Sequence, residues 1–136
     1  MAFRFSTRSK ENLATCRQGL QQIADIALML NLIDFMVIEG HRGSEKQNEY
    51  FKEGKSKVPW PLGKHNTNPS CAFDIVPVID GSLSWNKLHC CVLAGILLAV
   101  AKTVDIKLRW GGNWDMDGEP ITDQDFQDLA HFELVT

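Results

Sequence analysis

The chain has 136 residues, enough for one domain with a substantial core and little beyond it. Its 44% hydrophobic and 23% charged content are those of an ordinary folded protein. The net charge of −3, with lysines and arginines scattered along the chain, offers neither the basic footprint that nucleic acid requires nor a polybasic membrane patch.

Met1 to Lys10 contains no apolar stretch able to act as a signal peptide, so synthesis and initial residence in a cytoplasm are expected. Ser9 reads as the N-cap of a helix from about Lys10 to Leu30, because Leu13, Cys16, Leu20, Ile23, Ile26, Ala27 and Leu30 recur at helical spacing. Asp34 to Glu39 reads as a strand ending at Gly40. Ser44 caps a short helix over Glu45 to Lys52, closed by Gly54. Lys55 to Pro69 holds Pro59, Pro61, Gly63 and Pro69 and is a loop. Ala72 to Val78 is a strand, Asp80-Gly81 a turn, and a second strand lies near Leu83 to Trp85.

The longest apolar run, Leu88 to Ala101 interrupted by His89, is too short to span a bilayer. It belongs to a core helix starting at Trp85 or Asn86 and ending near Val104, and no membrane insertion is expected. Ile106 to Trp110 is a further strand, Trp110 to Gly118 a glycine- and aromatic-rich loop, and His131 to Val135 a final strand. Strands and helices do not alternate strictly, so the expected class is α+β with a small sheet in one domain over residues 1–136. Cys16, Cys71, Cys90 and Cys91 form no Cys-x-x-Cys pair and are expected to be reduced and structural.

Two short segments carry the chemistry. His65, Asp74 and His131 form a three-ligand set for zinc that leaves a fourth position for water. Asp128, three residues before His131, supplies a carboxylate suited to act as general base. Asp74 is the most informative member, because it interrupts Cys71-Ala72-Phe73-Asp74-Ile75-Val76, otherwise a buried strand. A carboxylate there is costly unless paired or bound to a metal, the alternative being a solvent-facing edge.

Alternation places His131 and Glu133 on one face of the last strand and Ala130, Phe132 and Leu134 on the other. That polar face fits a site floor or an exposed edge equally well. Glu133 would orient a ligand from behind or, as the segment reads slightly better, lie exposed. Asp128 belongs either to the site or to an acidic loop with Asp123 and Asp125. His41 is expected at the surface, and His89 at the border of the core.

These residues resemble the M15 family of zinc peptidases, and within it the small phage endolysins of the L-alanyl-D-glutamate peptidase type. The family pattern is Ser-x-His-x-x-Gly-x-Ala-x-Asp followed much later by Asp-x-x-His; His65, Ala72, Asp74, Asp128 and His131 match it. Glu39-Gly40-His41-Arg42 is similar to the family's strand-end Gly-aromatic-Arg. In two places the chain departs. Eight residues separate His65 from Asp74 where the pattern has six, and Gly63 stands where the pattern has Ser. Two extra residues preserve strand alternation, so Asp74 keeps its face.

The resemblance implies a hedgehog/D,D-peptidase-like fold with Zn2+ on His65, Asp74 and His131 and Asp128 as the base. It implies that Arg42 stabilises an oxyanion or clamps a substrate carboxylate, with Trp110 and Trp114 walling the cleft. It implies an endolysin hydrolysing the L-Ala–D-Glu bond of peptidoglycan stem peptides, monomeric and without a separate wall-binding domain. A D-Ala-D-Ala carboxypeptidase would use the same zinc site. A non-enzymatic zinc-stabilised binding module would need the metal but not Asp128.

Overall fold

The computed structural model describes residues 2–135. Helices α1 (Thr7–Ala14), α2 (Gln18–Met29), α3 (Ser44–Lys52) and α4 (Lys87–Thr103) accompany five strands, β1 (Asp34–Glu39), β2 (Ala72–Ile79), β3 (Ser82–Leu83), β4 (Leu108–Gly111) and β5 (Asp128–Leu134). The strands form one antiparallel sheet in the order β1-β2-β5-β4, with β3 paired to the outer end of β2. The α+β expectation holds. Among the described residues no helix is long and apolar enough to cross a membrane.

The sheet has two unlike faces. Phe35, Val37, Phe73, Ile75, Phe132, Leu108 and Trp110 point into a core shared with Leu20, Ile23 and Ala27 of α2 and Leu93, Ala94 and Leu97 of α4. Each fully buried aliphatic or aromatic side chain there contributes about 1.5–3 kcal/mol of transfer free energy. The opposite face carries Asp74 and His131, paired across β2 and β5. The two extra residues between His65 and Asp74 therefore lengthen a loop and leave Asp74 on its expected face.

Several boundaries differ from the sequence reading. The first helix is two: it breaks over Thr15 to Arg17, where Thr15 and Cys16 hydrogen bond back to Asn12 and Leu13. The break frees Thr15 and Arg17 to pair with both backbone groups of Ser70, joining the helices to the loop that leads into β2. The N-cap is accordingly Ser6, while Ser9 is buried and its hydroxyl accepts from the Val37 amide. Ser44 opens α3 without capping it; Gly43 precedes it with no side-chain cap.

The loop from Lys55 contains a 3₁₀ turn at Lys64–Asn66, and β5 begins at Asp128 rather than His131. Both involve site residues. Gly54 closes α3 with φ +80°, as a glycine in that position is expected to do.

Strand β1 also carries a bulge between Val37 and Glu39, shown by pairing Val37 with Ile75 and Glu39 with Asp74. Strict alternation would place Glu39 on the core face with Val37; the extra residue turns it to the face of Asp74. Glu39, Asp74 and His131 thus lie in one row across three strands.

Gly40 follows the bulge in tight packing: a Cβ there would strike the Thr15 side chain and the Asn12 carbonyl and touch Cys16 Sγ at 3.0 Å. Replacing it with alanine overpacks the junction of β1 with α1. Gly40→Ala should lower stability by about 1–3 kcal/mol, seen as an earlier urea midpoint with an unchanged slope.

Candidate metal centre

Three elements bring the site together. Asp74 and His131 come from facing positions of β2 and β5, and His65 comes from the 3₁₀ turn. That turn is clipped to the end of β1: the Arg42 amide donates to the His65 carbonyl at 2.8 Å, and Asn66 Nδ2 donates to the Arg42 carbonyl at 3.2 Å. His65 Nε2, Asp74 Oδ1 and His131 Nδ1 then converge, at 3.1 Å, 3.2 Å and 3.3 Å from one another.

The outer atoms of these rings determine what the inner atoms carry. His65 Nδ1 lies 2.8 Å from the Gly40 carbonyl, which only accepts, so the ring places its proton there and its lone pair on Nε2. His131 Nε2 lies 2.8 Å from Glu133 Oε1; that proton in turn leaves the lone pair of neutral His131 on Nδ1. Two imidazole lone pairs and a carboxylate oxygen therefore face one another, an arrangement that repels itself unless a cation or a proton sits between them. The edge of a tetrahedron with zinc–nitrogen bonds is roughly 3.3 Å, so the observed separations fit a divalent ion of that size.

Support behind the ligands extends to a second rank. Arg42 Nε and Nη2 donate to both oxygens of Glu39 at 3.1 and 2.9 Å, Nη1 donates to Gln47, and Nη2 also reaches Asp74 Oδ2 at 3.5 Å. Lys46 adds a further bond to Glu39. Burial disfavours the charge on Glu39, but the Arg42 bonds outweigh it and hold the carboxyl below its usual range. Arg42 is itself buried and stacked over Tyr50, which leaves only an N–H of Nη1 for the cleft. Where the resemblance placed Arg42 against substrate, the geometry places most of its guanidinium behind Asp74.

Asp74 is held well below the usual carboxylate range: burial opposes its charge, yet His65 and His131 together prevail. His131 is pushed up to about 10 in the metal-free site, because its bonds to Asp74 and Glu133 outweigh the effect of burial. Asp128 moves the other way: burial, then the neighbouring Asp74, raise it above the usual carboxylate range.

His65, His131 and Asp128 line a cleft of about 540 Å³. One wall is the segment 55–64; the other holds Trp114, Gln124 and Phe126.

The sequence-derived residues do not all meet here. His65, Asp74, His131 and Asp128 do, with Arg42 behind them. Glu133 is buried at 8% exposure and orients His131, correcting the reading that left it at an exposed edge. Trp114 stacks near the His131 ring at 5.5 Å. Trp110 does not reach the cleft: it is buried in the core, its Nε1 donating to the Leu129 carbonyl. His41 is half-buried rather than exposed, and His89 pairs with Ser84 on α4, away from the site.

Gly63 has an explanation too: its amide donates to Asn66 Oδ1, and a Cβ there would strike that atom and crowd Gln47. Asn66 and Gln47 occupy the space a serine side chain would need. Glu39 and Gln47 are not assigned to the site from the sequence because the bulge turns Glu39 inward and Gln47, on α3, meets Arg42 and Asn66 only in the folded chain. Beneath the site, burial pushes the Cys16 thiol up to about 11, which makes it packing rather than a nucleophile.

The chain is similar to known proteins over nearly its whole length. The profile of the family described as phage L-alanyl-D-glutamate peptidase matches residues 1–135. The L-alanyl-D-glutamate peptidase of Escherichia phage T5 is 32% identical over 139 aligned positions, spanning 99% of this chain and 100% of that protein. The crystal structure of the Serratia marcescens L-Ala D-Glu endopeptidase ChiX superposes with a TM-score of 0.80 at 28% identity, covering 98% of this chain and 90% of the other. Fold and site thus define a peptidase. The chain belongs to the phage L-alanyl-D-glutamate peptidase family.

Two measurements probe the site itself. In metal-free protein the folded state raises the His131 pKa from 6.5 to about 10, so its contribution to stability is complete below pH 6.5 and lost as pH climbs through about 10. The urea midpoint of chelator-treated protein should fall over that window, and saturating zinc should remove most of the decline. Glu133→Ala strands the His131 Nε2–H; zinc affinity measured against a chromophoric chelator should drop about 10–100-fold.

Proposed function

We propose that this peptidase is a zinc enzyme that hydrolyses the L-Ala–D-Glu bond of bacterial peptidoglycan stem peptides, acting as a phage endolysin after synthesis in the host cytoplasm. The observation that carries the reading is the convergence of His65 Nε2, Asp74 Oδ1 and His131 Nδ1 beside the carboxyl of Asp128. The activity for which the phage T5 and Serratia relatives are named supports the choice of bond.

When bound, zinc supplies Lewis acidity and brings the pKa of a water toward neutrality. The protein's residues do the rest. His65 and His131 keep their lone pairs inward because Gly40 O and Glu133 hold the opposite ring nitrogens. Arg42 holds Asp74 Oδ2 and leaves Oδ1 facing the site. Asp128 accepts the proton of the attacking water on a carboxylate oxygen and delivers it to the departing nitrogen of D-Glu. Its raised pKa favours that shuttle, since the protonated form needed for delivery is better populated than for an ordinary aspartate. Trp114, stacked against Phe126 and close to His131, shields one side of the cleft from solvent. The single domain is proposed to bind stem peptides unaided and to work as a monomer.

Digestion of Gram-negative-type peptidoglycan with zinc-loaded protein, read by mass spectrometry, should yield new D-Glu amino termini. Release of single D-Ala residues would instead assign the site to a carboxypeptidase. Asp128→Ala should keep stoichiometric zinc while kcat/KM falls by roughly 10²–10⁴-fold. Full lytic activity in that variant would make the fold a zinc-stabilised binding module rather than a hydrolase.

A further inference from the structure

The two walls of the cleft are electrically unlike. The segment 55–64 reads Lys-Ser-Lys-Val-Pro-Trp-Pro-Leu-Gly-Lys, with Lys55, Lys57 and Lys64 and no acid, in a chain whose net charge is −3. All three lysines line the cleft. Lys55 pairs with Glu53 at 3.5 Å, and Lys64 lies near enough to Glu133 to lower its pKa. Neither Lys64 nor Lys57 has a carboxylate at ion-pair distance among the described residues, although Asp125 lies on the wall facing Lys57; Lys57 differs from both in what its ammonium meets.

Its ammonium instead reaches across the cleft to the Phe126 ring, 4.8 Å from the centroid. Phe126 stacks on Trp114 at 6.1 Å, and Trp114 lies 5.5 Å from the His131 ring. This ladder ties the position of Lys57 to the metal centre. An exposed ammonium on an aromatic face is weakly held, and a carboxylate hydrogen bond is a stronger alternative.

On the reading that the enzyme cuts L-Ala–D-Glu, on which this inference rests, the substrate presents such a carboxylate. The stem continues through the side-chain carboxyl of glutamate, so its α-carboxylate stays free on the carbon that bears the scissile nitrogen. We propose that Lys57 leaves Phe126 to bind this α-carboxylate, making it a specificity-determining residue that distinguishes D-Glu stems from stems in which the group is amidated. The contact forms with the residue on the leaving side of the bond, and it closes the lysine wall over the substrate.

The test compares two synthetic stem peptides identical except for D-Glu or D-isoglutamine after L-Ala, using zinc-loaded protein. Wild type should cleave the carboxylate peptide with kcat/KM roughly tenfold above the amide, the discrimination expected of one charge-assisted hydrogen bond in a partly open site. Lys57→Gln should lose that preference, the carboxylate peptide falling toward the amide rate, while zinc stoichiometry and the urea midpoint stay those of wild type and show that fold and metal site are intact. Lys57→Arg should retain most of the preference. Lys102→Gln, at the far end of α4 and outside the cleft, should retain all of it, separating a contact from a general field effect.

An equal fall on both peptides, or a preference that survives Lys57→Gln, overturns the assignment of Lys57 while leaving the bond specificity standing. Cleavage of neither peptide by wild type overturns the L-Ala–D-Glu reading and this inference with it.

Discussion

Everything around the site follows from three electron pairs that would repel one another if nothing lay between them. His65 Nε2, Asp74 Oδ1 and His131 Nδ1 sit at the edges of a triangle little more than 3 Å on a side. No rotation or tautomer shift relieves that repulsion without breaking a second bond, because Gly40 O and Glu133 already hold the outer nitrogens. Metal-free, the site can be satisfied by protonating His131, which is why that ring's pKa rises so far. A divalent cation satisfies all three acceptors together. Proton and metal therefore compete for one place, and the competition couples folding, pH and metal binding.

Holding such a triangle costs free energy, and the sheet is arranged to bear it. Its lower face is continuous hydrocarbon, with Phe73, Phe132, Val37 and Ile75 shut against α2 and α4. The upper face carries a row of ionisable groups, Glu39, Arg42, His131 and Glu133 buried and Asp74 partly so. A buried ion pair adds little net stability by itself, but loss of one partner leaves the other charge uncompensated. The row is best understood as a positioning device whose cost is offset by the apolar layer beneath. One β-bulge makes it possible: without the extra residue in β1, Glu39 would point into the hydrocarbon.

What could be read from the sequence divides along the same line. Residues whose meaning depends on short-range pattern were legible: the helix stripe from Leu13 to Ala27, the apolar helix capped by Asn86, and Asp74 as a charge out of place in a buried strand. His131 and Glu133 shared a face as alternation required, and the two-residue insertion kept Asp74 in register with His131. Residues placed by an irregularity were not legible. The break at Thr15 to Arg17 depends on Ser70, far along the chain, for its hydrogen bonds. Glu39 depends on the bulge, and the burial of Glu133 depends on β4 pairing alongside it. Trp110 and Trp114 look alike in sequence, yet strand β4 ends between them; one is therefore drawn into the core and the other left over the cleft.

The departure at Gly63 shows how the two kinds of information combine. Against the family pattern a glycine there looks like a missing side chain, and sequence alone cannot say what was lost. In the fold, the space is taken by Asn66 Oδ1 and the Gln47 amide, which also accepts from Arg42. A polar side chain thus enters that space from Asn66 at the end of the turn rather than from position 63. That turn now joins β1, α3 and the His65 backbone in one hydrogen-bonded unit. Its histidine is thus positioned in part by Asn66 and Gln47, which act on it through the turn. Each of the three converging side chains is braced by a part of the chain other than its own element: His65 by Gly40 and Arg42 just beyond β1, Asp74 by Arg42, and His131 through the strands that flank β5.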